Sequence, residues 1–144
     1  ILNHQPRFHN ERDMKIFNLL AEDIKSGKEN FTSSRALIKL YKDLTGKDSK
    51  FHKYNVIRED KPSNSIPAHL YKDGLRHIHP DPSQSRSITV REAARIQSFD
   101  DDFEFIGPIG SQYKMIGNAV PPLFSKIIAQ TILSLKLDYG KVSN

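Results

Sequence analysis

Residues 86–99 read RSITVREAARIQSF, and this stretch decides how the second part of the chain folds. Thr89 is followed three residues later by Glu92, which is the spacing of a capping box. In that motif the threonine hydroxyl accepts a hydrogen bond from the glutamate amide, while the glutamate side chain reaches back to the start of the helix. Alanine and apolar positions then continue the helical pattern. We therefore predict a helix from Thr89 to about Phe99.

A second stretch, residues 112–122, reads QYKMIGNAVPP. Gly117 and Asn118 predict a turn, and proline is favoured at the first position of a helix, so a helix is predicted from about Pro122. On residue types alone, these positions could equally be a simple turn with no further role. Loops are predicted over the acidic residues 100–104 and over residues 107–110. The last helix should carry apolar residues on one side: Leu123, Ile127, Ile128, Ile132 and Leu135.

The first part of the chain predicts a mixed structure. One amphipathic helix is expected between Asn10 and Gly27, and another between Ser33 or Ser34 and Gly46. Short strands are predicted over three segments, 51–58, 66–70 and 75–78, with a turn at 72–74. Prolines and serines after residue 79 mark a boundary. We predict an α+β chain with two units, residues 1–85 and 86–144.

The 144 residues carry 22 Lys and Arg against 17 Asp and Glu, a formal net charge of +5. Residues 1–86 hold 16 of the basic and 11 of the acidic residues, whereas residues 87–144 hold six of each. Aromatic side chains such as Tyr41 and Phe51 lie among the cations of the first part. This mixture favours nucleic acid, because phosphates attract Lys and Arg and bases stack on flat rings. An ordinary solvated surface would have a similar charge, so both interpretations stay open.

The sequence contains no cysteine. It therefore cannot supply a disulfide, a thiolate metal ligand or a thiol nucleophile. The longest apolar-rich stretch, residues 123–137, is interrupted by polar residues and is shorter than the ~20 apolar residues of a membrane span. The first ten residues lack the layout of a secretion signal, and the chain begins with Ile1, so we expect a piece of a soluble intracellular protein.

No metal site is predicted. His77, His79 and Asp81 would share one face of a strand, but Pro80 interrupts that strand and no fourth ligand is evident. Asp100, Asp101 and Asp102 are expected to form a solvated loop.

Residues 86–99 and 112–122, at their separation here, closely resemble the ninth and tenth motifs of the DNA cytosine-5 methyltransferases. Residues 1–85 lie where that family has its variable target-recognition segment. The start at Asn3 and His4 and the segment from Leu70 to Pro80 also resemble bacterial members. One position departs from the family pattern, since Asp100 stands where proline is usual and does not fix the backbone as proline does.

The resemblance implies a fold and a reaction. The fold is the C-terminal portion of a Rossmann-like α/β methyltransferase that depends on S-adenosyl-L-methionine. These enzymes act on double-stranded DNA, flip a cytosine out of the duplex, attack it with a cysteine thiolate and methylate C5. The motifs that carry the nucleophile and most of the cofactor site are absent from these 144 residues. We therefore expect an incomplete enzyme that is inactive alone and needs the N-terminal catalytic portion, either as the same polypeptide or as a partner subunit.

Residue roles follow from the same resemblance. Asn118, with Ala119 and Val120, would lie beside the cofactor. Structural roles are expected for Thr89, Arg91, Glu92, Arg95, Gly117 and Pro121. DNA contacts are expected from the first part, where Arg and Lys suit guanine edges or phosphate. The candidates for that role are Arg35, His52, Lys53, Tyr54, Arg58, Lys72 and Arg76.

The resemblance also places the complete protein in the bacterial cytoplasm, as part of a restriction-modification system. A free-standing DNA-binding module without catalysis is the alternative, and a basic protein-interaction domain would explain the charge but not the two motifs. If the partner sheet is absent, the apolar last helix should promote self-association.

Overall fold

The computed structural model describes residues 1–50, 54–72 and 74–141, with side chains up to residue 135. The described chain is predominantly helical. Its helices are α1 (Glu11–Lys25), α2 (Ser34–Thr45), α3 (Val90–Ile96), α4 (Ile109–Asn118) and α5 (Pro122–Lys141), with a short 3-10 turn at Pro82–Gln84.

Helices α1 and α2 form where the sequence predicts them, because both carry the expected caps. The Asn10 side chain accepts a hydrogen bond from the Asp13 amide at 2.9 Å, and Ser33 accepts one from the Ala36 amide at 3.2 Å. Gly46 ends α2 in the left-handed conformation, with φ of 68°.

The predicted strands at 66–70 and 75–78 are wrong, and the sheet component of the α+β prediction is not seen in the described residues. Ile78 makes only isolated bridges, parallel to Val56 and antiparallel to Ser87. The segment between 67 and 72 instead forms turns, including a bond from the Leu70 amide to the Pro67 carbonyl at 3.0 Å. A turn closed by the His77 amide and the Gly74 carbonyl precedes Ile78, and Pro80 follows it without an amide hydrogen, so the pairing does not extend. Part of the predicted 51–58 strand lies outside the described residues.

Two buried apolar clusters support the chain. The first joins α1 and α2 to Tyr54, Val56 and Ile78. The second joins α3 and α4 to Ile66, Leu70 and Phe105. Residues from both sides of position 85 pack in the second cluster. The division into 1–85 and 86–144 stays a prediction.

The capping box at Thr89 is present, but α3 is shorter than predicted. Ser98 adopts a φ of 63°, which ends the helix before Phe99. The predicted loop at 107–110 is wrong from Ile109 onward, because Pro108 and its fixed φ of −60° start α4 there. Consequently Gly117 and Asn118 are the last residues of a helix rather than a free turn.

Helix α5 begins at Pro122, as predicted, but the described chain leaves its apolar side chains uncovered. Its large apolar side chains between Leu123 and Leu135 are each 43–61% exposed. No helix among the described residues has the length and apolar character needed to span a bilayer.

Candidate DNA and cofactor interface

Gly117, near the end of α4, allows this helix to approach a distant loop closely. A β-carbon at this position would lie 2.5 Å from the carbonyl oxygen of Pro67 and 3.0 Å from the Cα of Ala68. The backbone of the 67–68 turn occupies the space that a side chain would need. The expected structural role of Gly117 therefore has a concrete physical reason, which is close approach of two backbones rather than an unusual φ.

Asn118 and Val120 are exposed at the end of α4, and Ala119 is half-buried. The Asn118 side chain has no hydrogen-bond partner among the described residues, so both its donors and its acceptor are available. The Ala119 amide is not available, because it donates to the Ile116 carbonyl at 3.1 Å. Of the three predicted cofactor residues, only Asn118 thus offers a free polar side chain.

The start of α5 is a poor anion site. Pro121 and Pro122 have no amide hydrogen, and the Leu123 amide already donates to the Ser98 hydroxyl at 3.1 Å. The left-handed backbone of Ser98 brings its hydroxyl to this position. Sequence reasoning missed this role of Ser98. At this turn the Asn118 side chain and the Val120 amide have no hydrogen-bond partner within the described residues.

Arg91 is fully buried and joins three segments of the chain. Its guanidinium donates to the carbonyl oxygens of Asp100 at 2.9 Å and Phe103 at 2.6 Å, and its Nε donates to that of Leu2 at 3.1 Å. It also lies 3.4 Å from the Oδ1 of Asn3. At position 100 this chain has aspartate where the family usually has proline. Arg91 binds the backbone carbonyl there, and either residue can supply that carbonyl.

Asn3 makes a second connection between the start of the chain and the later motifs. Its Nδ2 donates to the Phe105 carbonyl at 2.8 Å, and its Oδ1 accepts from the Phe105 amide at 3.0 Å. Nδ2 also lies 3.1 Å from the Oε1 of Gln112 on α4. The sequence resemblance placed Asn3 near the family pattern but gave it no role. The structure shows the side chain completing the backbone hydrogen bonds of Phe105.

Glu92 is the most strongly perturbed acid in this region. Burial raises its pKa, but bonds from Arg86 and the Thr89 amide outweigh burial, and the net pKa falls to about 2. Arg86 binds the carboxylate with two nitrogens, at 2.7 and 2.8 Å. His79 Nε2 lies 3.6 Å from the same carboxylate, but burial and Arg86 lower the pKa of His79. The neutral imidazole therefore adds no ion pair at pH 7.

Arg95 lies on the solvent side of α3 and forms a bidentate ion pair with Asp101, with both contacts at 2.7 Å. This pair connects the helix to the acidic loop after it. Arg91 and Arg95 are four residues apart on α3, but the structure buries the first and exposes the second.

The candidate DNA residues of the first part fall into three groups. Arg35 on α2 and Lys72 are exposed, and Arg58 and Arg76 line the same cavity beside α2. Tyr54 is buried instead, with its hydroxyl 3.2 Å from Asp13 Oδ1, and burial raises its pKa. We therefore leave Tyr54 out of any DNA surface. His52 and Lys53 lie outside the described residues.

The residues considered for metal binding are engaged locally. The Asp81 amide donates to His79 Nδ1 at 3.1 Å, while the Asp81 carboxylate caps the 3-10 turn at Ser83. His77 is buried, which lowers its pKa. Within the part of the chain that the structure describes, no group of three His, Asp or Glu side chains is arranged to hold a metal ion.

Comparison with known proteins identifies the family to which these features belong. The C-5 cytosine-specific DNA methylase family matches residues 2–134, so the chain is a member of that family. Type II methyltransferase M.Bpa9945I of Bacillus paralicheniformis is 40% identical over 133 residues, which is 90% of this chain and 29% of that protein. Type II methyltransferase M1.HphI of Haemophilus parahaemolyticus is 32% identical over 94% of this chain and 32% of its own length.

A shorter match, to type II methyltransferase M.AgeI of Thalassovita gelatinovora, is 44% identical over 81 residues. No solved structure matches the chain. M.Bpa9945I and M1.HphI match nearly all of this chain, but the chain spans only about three-tenths of the length of each of these two relatives. The resemblance inferred from residues 86–99 and 112–122 is confirmed, and the family implies the fold of a methyltransferase that depends on S-adenosyl-L-methionine.

Proposed function

We propose that this chain supplies the DNA-recognition region and one wall of the cofactor site of a DNA (cytosine-5-)-methyltransferase. The observation that carries the proposal is the exposed end of the chain, where Asn118 and Val120 adjoin the apolar helix α5. Burying apolar side chains is worth about 25 cal/mol per Å², so an apolar helix without a partner favours a protein surface that covers it. The Rossmann-like catalytic portion that the family resemblance implies would provide such a surface.

S-adenosyl-L-methionine would meet this chain at Asn118. The free amide can donate to a carboxylate or hydroxyl group and accept from an ammonium group, all of which this cofactor carries. Ala119 fits only as a contact through its side chain and carbonyl oxygen, because its amide is already bonded. The Val120 amide has no hydrogen-bond partner within the described residues and can still donate. When bound, the cofactor supplies the methyl group. The residues present thus fit one edge of the ligand, and the missing portion would hold the rest.

Catalysis itself is assigned to the other portion. Attack on C6 of a flipped cytosine needs a thiolate, and these 144 residues contain no cysteine. The chain alone should therefore bind DNA without methylating it. Exposed cations of the first part, including Arg35 and Lys72, would bind the phosphates of the duplex.

Complementation tests this division of labour. The chain, the N-terminal catalytic portion and their mixture are each incubated with unmethylated duplex DNA and S-adenosyl-L-methionine labelled in the methyl group. Only the mixture should transfer label to cytosine. An Asn118→Ala chain should complement with a raised KM for the cofactor, whereas Lys114→Ala, an exposed change on the same helix, should not change that KM.

Methyl transfer by the chain alone would contradict the assignment of the nucleophile. If both portions are folded but their mixture is inactive, the chain is better described as a free-standing DNA-binding module. Equal cofactor KM values for the Asn118→Ala and parent mixtures would remove Asn118 from the cofactor site.

A further inference from the structure

A cavity of about 440 Å³ lies between α1, α2 and the segment that follows Tyr54. Its wall mixes apolar residues of the first cluster with polar side chains. The polar members are Asp23, Thr32, Asn55, Arg58, Asn64 and Arg76. Two of these, Arg58 and Arg76, were predicted from the sequence to contact DNA, and the two asparagines were not.

Arg58 is not free to bind a ligand. Its guanidinium is bonded to Asp60 at 3.1 Å and also to Glu29, and these two carboxylates raise its pKa. A guanidinium neutralised by two carboxylates gains little from a phosphate. Arg58 therefore connects the loop after α1 to the 54–60 segment and forms part of the cavity wall.

Arg76 and Asn64 differ from Arg58. Both are exposed, and neither side chain has a hydrogen-bond or ion-pair partner within the described residues. The backbone that carries Arg76 is nevertheless fixed, because its carbonyl accepts from the Asn55 side chain at 3.2 Å. The next residue, His77, is buried. A free side chain on a held backbone can recognise a ligand without any ordering of the backbone, so only its own rotamers are restricted on binding.

The charges around the cavity favour a base over a phosphate. Asp23 is buried in the wall, where it accepts from the Asn30 side chain at 2.8 Å and the Phe31 amide at 3.0 Å. Arg58 is already paired with Glu29 and Asp60. Among the described residues that line the cavity, this leaves Arg76 as the one cation to balance Asp23. A phosphate would meet no net positive charge here. A base edge presents donors and acceptors together, as this wall does.

We propose that Arg76 and Asn64 are specificity-determining residues that read base edges in the target DNA. This inference rests on the proposed function and adds to it the distinction between base readers and phosphate-binding residues. Arg76 has the paired donors that match O6 and N7 of guanine, and Asn64 has the amide that reads a neighbouring base. Arg35 and Lys72 belong to the phosphate-binding group instead.

The test uses the complete enzyme, with this chain joined to its catalytic portion and expressed in a host free of cytosine methylation. Sequencing of methylated cytosines defines the recognition sequence of the parent enzyme. Arg76→Ala should reduce discrimination at one base pair by about 5- to 150-fold, and Asn64→Ala should do so at another. Arg35→Ala removes the same charge as Arg76→Ala and serves as the matched control. It should lower methylation at all sites alike and leave the sequence unchanged.

The outcomes are separable. No methylation by the parent enzyme would overturn the proposed function and this inference with it. Active Arg76→Ala and Asn64→Ala enzymes that keep the parent recognition sequence would overturn the inference alone. If Arg76→Ala is inactive, Arg76→Lys decides, because lysine keeps the charge but not the paired donors. A relaxed sequence supports base reading, whereas an unchanged sequence, or loss at every site with an unchanged melting temperature, overturns it.

Discussion

Arg91 and Glu92 are neighbours in sequence but hold different parts of the molecule. Arg91 is buried with backbone carbonyls from the chain start and from the loop after α3 as its partners. Glu92 faces the other way, toward Arg86 and the first turn of its own helix. Two adjacent charges thus fix the position of α3 relative to both the preceding and the following segments. Each gives a prediction at the scale of a single side chain.

Arg91→Met should destabilise the chain by about 3–5 kcal/mol. The substitution keeps much of the volume but leaves buried carbonyl oxygens without donors, which is costly in a region closed to water. Urea unfolding would show this as a lower midpoint with an unchanged slope. Arg95→Met is the control on the same helix, since the exposed pair with Asp101 should contribute little. Equal midpoints for the two variants would contradict the role given to Arg91.

Glu92 predicts how stability depends on pH. Its pKa of about 2 in the folded chain is below the usual value of 4.5, so its stabilisation is complete above pH 4.5 and is lost as pH falls toward 2. In that window Glu92 should contribute at most about 1.4 kcal/mol of stability per pH unit. Glu92→Gln should flatten this part of the profile, measured by urea unfolding at successive pH values. Glu104→Gln, at an exposed site, should keep the parent slope, and an identical slope in the Glu92→Gln chain would refute the linkage.

Helices α4 and α5 differ in how they are supported. Helix α4 packs through Tyr113 and Ile116 into the second cluster, where Tyr113 also donates to the Ile88 carbonyl at 2.8 Å. Helix α5 has no such support in the described chain. A turn of three residues joins them, so the junction lies between a fixed helix and an uncovered one.

Gly117→Ala should weaken the packing of α4 by about 1–3 kcal/mol, because the new methyl group meets the backbone at Pro67 and Ala68. Gly110→Ala is the matched control on the same helix. A β-carbon there meets open space, and alanine is the better helix former by up to about 1 kcal/mol. In thermal unfolding, the melting temperature should therefore fall for Gly117→Ala and should rise or stay unchanged for Gly110→Ala. Two equal shifts would show that the 67–68 contact is unimportant.

Helix α5 should make the isolated chain associate with itself. Phe124→Lys combined with Ile128→Lys places two charges one helical turn apart and should shift the chain toward monomer in sedimentation velocity. Ser125→Lys with Gln130→Lys adds the same charge at polar positions and serves as the control. Only the first pair should also prevent complementation by the catalytic portion. A monomeric parent chain, or equal effects of both pairs, would contradict this use of α5.

The molecule as a whole divides by charge and not only by sequence. The net charge of +5 belongs to residues 1–86, and the later part is neutral and contains most of the buried second cluster and the uncovered helix. One part is thus suited to meet a polyanion and the other to meet protein and cofactor. If the positively charged part binds DNA, the affinity should depend on the salt concentration.

Duplex binding by the chain should weaken steeply with ionic strength, because bound cations release counterions from DNA. Arg35→Ala should make the slope of log affinity against log salt shallower by about 1. Arg58→Ala should change the slope less, since Glu29 and Asp60 already neutralise its guanidinium. Fluorescence anisotropy on a labelled duplex over 50–200 mM salt would measure both. A larger slope change for Arg58 than for Arg35 would contradict this order.

The sequence alone predicted the caps at Asn10, Ser33 and Thr89, the start of α5 and the family. These are local or short-range properties, in which a few residues at fixed spacing decide the outcome. The wrong strand predictions concern segments whose structure is not decided by the local preferences of their residues. Residues 66–70 and 75–78 have strand-like composition, but the first segment forms turns and the second pairs only through the isolated bridges of Ile78.

Only the tertiary structure decided what each polar side chain does. It buries Tyr54, pairs Arg58 with two carboxylates and leaves Arg76 free, although all three are equivalent as candidates in sequence. It also gives Asn3 and Ser98 bonds to residues 102 and 25 positions away. The physical reason is that burial and pairing depend on which distant atoms share a space, and no local spacing encodes that. The sequence determined helices α1, α2 and α5, the start of α3 and the family, and the packing determined which side chains remain free of partners within the described chain.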